Sequence, residues 1–153
     1  MCIRDSSYYL KGLFFLNRRT REDIEKSIDN FEKSIEADPY YAKAYSGMAD
    51  AYYYYTQGKF YPRPLGYIKA KEFALQALKI DNNLAEAHAT TGAILAWNEW
   101  KWKEAAKECE LAIELNQNSA TAHEYYANIL YIMRRHDEAR EQIDIALTLN
   151  PIL

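Results

Sequence analysis

Side chains able to do bond-making chemistry are sparse in this sequence. His88, His123 and Cys109 are the candidates for a metal or a nucleophile. A zinc site needs three or four converging ligands. Cys109 falls on the apolar stripe of a predicted helix, so it reads as a small buried hydrophobe, and the two histidines read as packed side chains. Carboxylates are numerous, but they sit in stretches such as REDIEK and DEAREQ, where Lys and Arg interleave with them at helical spacing. That pattern is a solvated helix face laced with ion pairs. No Gly-rich phosphate loop and no nucleophile elbow occurs. The expectation is therefore a non-catalytic chain with no catalytic residue, no metal and no cofactor. What remains is binding chemistry, concentrated in two aromatic stretches, AYYYYTQGKFYPRP at 51–64 and WNEWKWKEA at 97–105.

Bulk properties agree. The chain has 153 residues, 49% apolar and 27% charged, with five glycines, four prolines and a net charge of −3. The length suits one domain, and low Gly and Pro with abundant Ala, Glu, Lys and Leu favours helix over sheet. An acidic balance gives no electrostatic footprint for nucleic acid. No run approaches the length of a membrane span, so neither nucleic acid nor membrane is expected to touch this segment. MCIRDS at the start matches a translated sequencing-adapter end. Residues 1–6 are thus expected to be a scar rather than protein, and residues 7–153 a domain cut from a longer protein.

The elements that must hold the aromatics follow from a fixed internal ruler. Small residues recur seven apart: Ser27 and Ser34, Ala70 and Ala77, Ala105 and Ala112, Ala139 and Ala146. The next small residue follows after fifteen: Ser34 to Ala49, Ala77 to Gly92, Ala112 to Ala127. Four residues beyond each second small residue stands a turn signal, Asp38-Pro39, Asp81-Asn82, Asn116-Gln117 and Asn150-Pro151. Seven residues is about two helical turns, so each pair shares a face on which a second helix can approach closely. Asp or Asn before Pro, Asn or Gln ends a helix. Thr20 with Asp23 three residues later reads as a helix start. The spacing predicts eight helices, at 7–18, 21–37, 41–57, 65–80, 84–99, 101–115, 119–133 and 136–149, grouped into repeats at about 7–40, 41–83, 84–118 and 119–153. The interval inside a repeat varies, from twelve between Ala127 and Ala139 to twenty-one between Ala49 and Ala70. Insertions therefore collect in the turn between a repeat's two helices, the longest at 56–64, where Pro62 and Pro64 are expected to stop the helix and stiffen the loop.

The segments AEAHATTGAILAWNEWKWKEAAKECELAIELNQNS and ATAHEYYANILYIMRRHDEAREQIDIALTLNP resemble tetratricopeptide repeats across their length. The resemblance implies an all-α, right-handed superhelical solenoid of about four helix-turn-helix units. His88 and His123 depart from the pattern where Tyr8 and Tyr45 keep an aromatic, and Ser27 and Ser34 stand in place of alanine. The family's inner surface would fall on Lys43, Ser46, Asp50, Tyr53, Tyr54, Glu86, Ala89, Ala93, Trp97, Glu124, Asn128 and Tyr131, with Lys59, Phe60, Tyr61, Arg63 and Trp100 at the loop rim. Tyr52, three residues after Ala49, is expected in the core, and Trp102 likewise. The paired Lys and Asn that clamp a chaperone-tail carboxylate in some members are replaced at Ser46, Asp50, Ala89 and Ala93, which disfavours that ligand.

YYLKGLFFLNRRT with DNFEKSIEADPYYAKAYSGMADAY further resembles the C-terminal repeat regions of bacterial winged-helix transcriptional activators, Ser/Thr kinases and nucleotide cyclases. The implied role is a protein or peptide partner site, the sensory part of a signalling or transcription-regulating protein. The alternative is a substrate-positioning region of a larger transferase or peptidase, or a free-standing scaffold. A cytoplasmic location is expected, or a periplasmic one if a transmembrane segment precedes the repeats. Oligomeric state is left open.

Overall fold

A computed structural model describes residues 3–151, with side chains from residue 4 onward. Met1 and Cys2, part of the expected adapter segment, lie outside the described residues. Eight helices and no strand occur among those described. They are α1 (Ile3–Leu16), α2 (Arg21–Ala37), α3 (Ala42–Gln57), α4 (Arg63–Ile80), α5 (Ala85–Asn98), α6 (Trp102–Leu115), α7 (Ala120–Ile132) and α8 (His136–Leu149). Each predicted helix is present. Two ends moved. α1 starts at Ile3 rather than 7, and its first turn is tied down, because the Ser34 hydroxyl donates to the Asp5 carbonyl at 2.7 Å. α4 starts at Arg63, so Pro64 lies in its first turn instead of in the loop. The ring blocks no hydrogen bond there, since first-turn N–H groups have no intrahelical acceptor.

The chain divides into two compact units, residues 1–82 and 83–153, each holding two antiparallel helix pairs. In the first, α1 pairs with α2 and α3 with α4, and α3 also packs on α1 and α2. Its core is aromatic. Phe31, fully buried, lies between Gly12 and Gly47, where an added Cβ would stand 2.4 and 2.6 Å from the ring. Leu16, Ile24, Met48, Ala51 and Tyr55 complete the cluster. α3 and α4 touch where Gly66 faces Thr56, and a Cβ at Gly66 would lie 1.7 Å from the threonine hydroxyl. In the second unit α5 pairs with α6 and α7 with α8, and α7 packs on α5 and α6. This core is richer in alanine: Ala105, Ala112, Ala127 and Cys109 pack with Ile94, Ile129 and Leu130, and with Leu84, Tyr125 and Tyr126 toward its edge. Gly92 admits the α6 backbone, since its Cβ would meet the Ala105 carbonyl at 2.9 Å and the Cys109 sulfur at 2.7 Å.

All four small-residue pairs are buried, at 5% exposure or less. The four turn residues adopt one geometry. Asp38, Asp81, Asn116 and Asn150 are extended, with φ between −149 and −137°, and each N–H bonds to the carbonyl of the small residue four back at 2.9–3.0 Å. Asp38 and Asn116 also accept from the N–H two residues on, at 3.0 Å, the short Asx link that makes these residues turn formers. The intra-repeat turns use a different device, absent from the sequence reading. Each holds one residue in the left-handed region: Arg19 (φ 55°), Lys59 (62°), Trp100 (58°) and Arg134 (62°). At Lys59 the bonds run from Lys59 N–H to Thr56 O and from Phe60 N–H to Tyr55 O, and Arg134 and Arg135 repeat them on Tyr131 and Leu130. These are Schellman turns built without glycine. After α5 the turn is wider, closed by Lys101 N–H on Leu95 O at 3.0 Å.

Candidate functional site

The helix that opens each repeat presents the residues expected to bind a partner. On α3, Lys43 is exposed, while Asp50 and Tyr54 are half-buried. Tyr54 is gripped from the α1–α2 turn: the Arg19 guanidinium stacks 4.0 Å over its ring and donates to its hydroxyl at 3.0 Å. Tyr53 departs from expectation. It is 5% exposed, its ring lies against Tyr67 and Tyr54, and its hydroxyl accepts from Gln57. Four successive residues sweep about 300° of a helix, so a run of four tyrosines must turn rings inward as well as outward, and here Tyr53 and Tyr55 are both buried. Ser46, Ala89 and Ala93 are likewise buried. Tyr52 is half-buried, stacked on Phe73 at 5.7 Å and edge-on to Tyr61, with the Lys69 ammonium 5.0 Å above it.

The 58–62 turn folds onto this aromatic group. Tyr61 is half-buried against Tyr52 and Tyr55, and Phe60 leans on Tyr55 while keeping 39% exposure. Lys59, Phe60, Tyr61, Pro62 and Arg63 line a surface depression of about 500 Å³. The loop-rim residues of the first unit therefore come together.

In the second unit, α5 presents Glu86, half-buried, and Trp97, 39% exposed. On α7, Glu124 is half-buried, Asn128 exposed and Tyr131 66% exposed. Asn128 and Tyr131 open with His136, Arg140 and Ile143 onto a depression of about 470 Å³ between α7 and α8. The His136 ring stands edge-on to Tyr131 at 4.9 Å. The floor is Ala127 and Ala139, two of the small residues, so the depression exists because those positions carry no bulk. Trp100, on its left-handed turn, is 70% exposed, and its ring meets the half-buried Trp102 edge-on at 5.9 Å.

His88 and His123 have a structural role. His88 Nδ1 lies 2.7 Å from Glu108 and His123 Nδ1 lies 2.6 Å from Gln142. In repeat register these are one interaction, an opening helix tied to its closing helix, with the partner three residues after the first small residue. His123 Nε2 is also held, by the Gln117 carbonyl at 3.0 Å. Tyr126 adds a link from α7 to α6, donating to Glu110 at 2.6 Å, and burial together with that bond pushes its phenol up to about 12. Tyr55 does the same from α3 to α2, on Glu25 at 2.6 Å. Burial also pushes the Cys109 thiol far up, which keeps it protonated and inert as a nucleophile. Sequence reasoning missed these cross-ties. The signal was there, since His88 with Glu108 and His123 with Gln142 keep the same offsets from the small residues.

No family model matches the sequence. The transcriptional regulator HilA of Salmonella paratyphi A is 26% identical over 149 residues, covering 97% of this chain and 27% of HilA. Superkiller protein 3 of Schizosaccharomyces pombe is 28% identical over 96 residues, 62% of this chain and 6% of that protein. The chain thus spans about a quarter of the length of the HilA relatives. Among solved structures, a thermophilic TPR protein of Thermus thermophilus superposes with a TM-score of 0.77 at 18% identity, over 96% of this chain and 74% of that one. The first TPR of Spaghetti (RPAP3), bound to HSP90 peptide SRMEEVD, gives 0.61 at 21% identity, over 86% and 94%. With its paired helices, its buried small residues and these neighbours, the chain has the tetratricopeptide-repeat fold.

Proposed function

We propose that this chain is a non-catalytic protein-interaction module that takes an extended peptide or a helix of a protein partner. The observation that carries the reading is the α7–α8 depression, where Tyr131 and Asn128 stand open beside His136 and Arg140 over an alanine floor. An exposed aromatic beside amide and guanidinium donors, over a shallow apolar base, matches the make-up of interface anchors. Peptide binding in the solved Spaghetti repeat supports this use of the fold. A chaperone-tail clamp is disfavoured, because Ser46, Ala89 and Ala93 offer neither charge nor exposure.

The finer reading is the sensory or partner-binding part of a bacterial protein that regulates transcription or signalling, supported by the HilA similarity along nearly the whole chain. We place the module in the cytoplasm, or in the periplasm where a transmembrane segment precedes it in a longer protein. No described helix is long and apolar enough to cross a membrane.

The test is a titration of wild-type and Tyr131→Ala protein with a peptide mapped from a cross-linked partner. Loss of an aromatic anchor costs about 2 kcal/mol or more, some thirtyfold in Kd. Equal affinity for the two proteins overturns the assignment of this surface.

A further inference from the structure

α4 differs from the helices that close the other three repeats, and the repeats themselves supply the control. Its inner face is buried through Gly66, Tyr67, Ala70, Ala74 and Ala77. Its outer face carries Leu65, Ile68 and Leu75, which are 56, 51 and 50% exposed. These residues, with Glu72 between the last two, follow a 3-4-3 spacing and so form one stripe along the helix. At the positions equivalent to Ile68 and Leu75, α2 has Glu25 and Glu32, α6 has Lys103 and Glu110, and α8 has Asp137 and Asp144, all exposed. Three closing helices thus turn charge outward where α4 turns aliphatic side chains outward. A helix apolar on both faces is ordinarily covered on both.

Charge separates α4 as well. It holds four cations, Arg63, Lys69, Lys71 and Lys79, against one anion, Glu72. α2 holds three cations against six anions, α6 two against four, and α8 one against four. Lys69 and Lys71 fall on the two flanks of the stripe and Lys79 at its end. A second copy pairing through α4 would set four cations against four, which like-charge repulsion opposes. An anionic bilayer has only hydrocarbon to set against Glu72 in the middle of the stripe, which desolvation opposes, whereas a partner helix can place a polar or cationic side chain opposite it.

We propose that the outer face of α4 is a docking surface for an acidic amphipathic helix of a partner protein, its leucine-type stripe laid on Leu65, Ile68 and Leu75, its Glu and Asp flanks meeting Lys69, Lys71 and Lys79. This is helix-on-helix recognition with apolar anchors at i, i+3 and i+10 and Glu72 at i+7, where the partner carries a polar side chain. It uses a different face from the α7–α8 depression and stands without it.

The experiment is fluorescence anisotropy with a labelled helical peptide of roughly 18 residues, leucines on three positions of a 3-4-3 stripe, glutamine on the one that faces Glu72, and glutamates on both flanks. A scrambled peptide of equal composition and vesicles containing phosphatidylserine serve as competing ligands. Wild type is expected to bind the patterned peptide, more weakly as salt rises. Ile68→Glu/Leu75→Glu is expected to lose about tenfold or more, and Tyr131→Ala to keep wild-type affinity. Should the first variant lose its helical circular dichroism, Lys71→Glu/Lys79→Glu is expected to show the same loss. Equal binding of the scrambled peptide, no binding of either peptide, or an unaltered stripe variant overturns the proposal. Concentration-dependent self-association abolished by the stripe variant would assign the face to a second copy. Vesicle binding without peptide binding would assign it to a membrane.

Discussion

A side chain with a Cβ is strained in the left-handed region, and the described residues accept that strain four times, once in each intra-repeat turn. The four positions are not equivalent in what they gain. Arg19 uses its turn to reach Tyr54, and Trp100 meets Trp102. Lys59 and Arg134 are exposed and end Schellman turns. Glycine at these two sites removes the Cβ clash and leaves every turn hydrogen bond in place. We expect Lys59→Gly and Arg134→Gly each to stabilise the protein by about 0.5–1 kcal/mol, the gain offset in part by the extra freedom glycine gives the unfolded chain. Thermal melts of the single variants check this, and a lower midpoint in both contradicts it. Sequence could not show these turns, because Arg, Lys and Trp carry no left-handed preference. The conformation is imposed by helices that must turn back within two or three residues. Tyr53 was misread for a related reason, since a tyrosine run has no polar residue to mark which ring faces in.

At the level of the element, the spacing of small residues was legible because it is geometric. A seven-residue pair marks one helix face, and all four pairs are buried as the spacing requires. What the spacing did not disclose is which neighbour uses the room. Phe31 fills it in the first unit, with Gly12 on one side and Gly47 on the other. Gly47→Ala gains about 1 kcal/mol of helix propensity. That gain is outweighed, because the ring 2.6 Å from the new Cβ is backed by Gly12 and has nowhere to move. A net loss of about 1–3 kcal/mol is expected, and Ala105→Leu in the second unit should lose as much or more. Gly58→Ala serves as the control. The ring it would meet belongs to Phe60, which is 39% exposed and can swing away. Its melt should match wild type, and equal losses at Gly47 and Gly58 would show that glycine backbone freedom, not the Phe31 clasp, sets the cost.

At the level of the molecule, the repeat ruler hides an asymmetry. The same seven and fifteen spacings run through both units, yet the first seals Phe31, Tyr67, Met48 and Ile24 at 2% exposure or less, where the second seals Ile94, Ile129, Leu130 and Cys109 that deeply and keeps its buried tyrosines, Tyr125 and Tyr126, at 4 and 8% among a larger number of buried alanines. Fold was therefore readable from spacing alone, while the distribution of stability was not, since it depends on side-chain volume at the contacts rather than on their period. Burying an aromatic or a large aliphatic contributes about 1.5–3 kcal/mol, and an alanine methyl well under 1. Stability in repeat proteins is close to a sum of repeat and nearest-neighbour terms, so the units should differ when separated. Residues 1–82 produced alone are expected to retain helical circular dichroism and to melt cooperatively. Residues 83–153 alone are expected to be less helical and to melt at lower temperature, despite the same number of helices. A higher midpoint for 83–153 would mean that the His88–Glu108 and His123–Gln142 cross-ties outweigh the bulkier core of the first unit, since the tyrosine–glutamate link is common to both units, Tyr55–Glu25 in one and Tyr126–Glu110 in the other, and the histidine ties belong to the second.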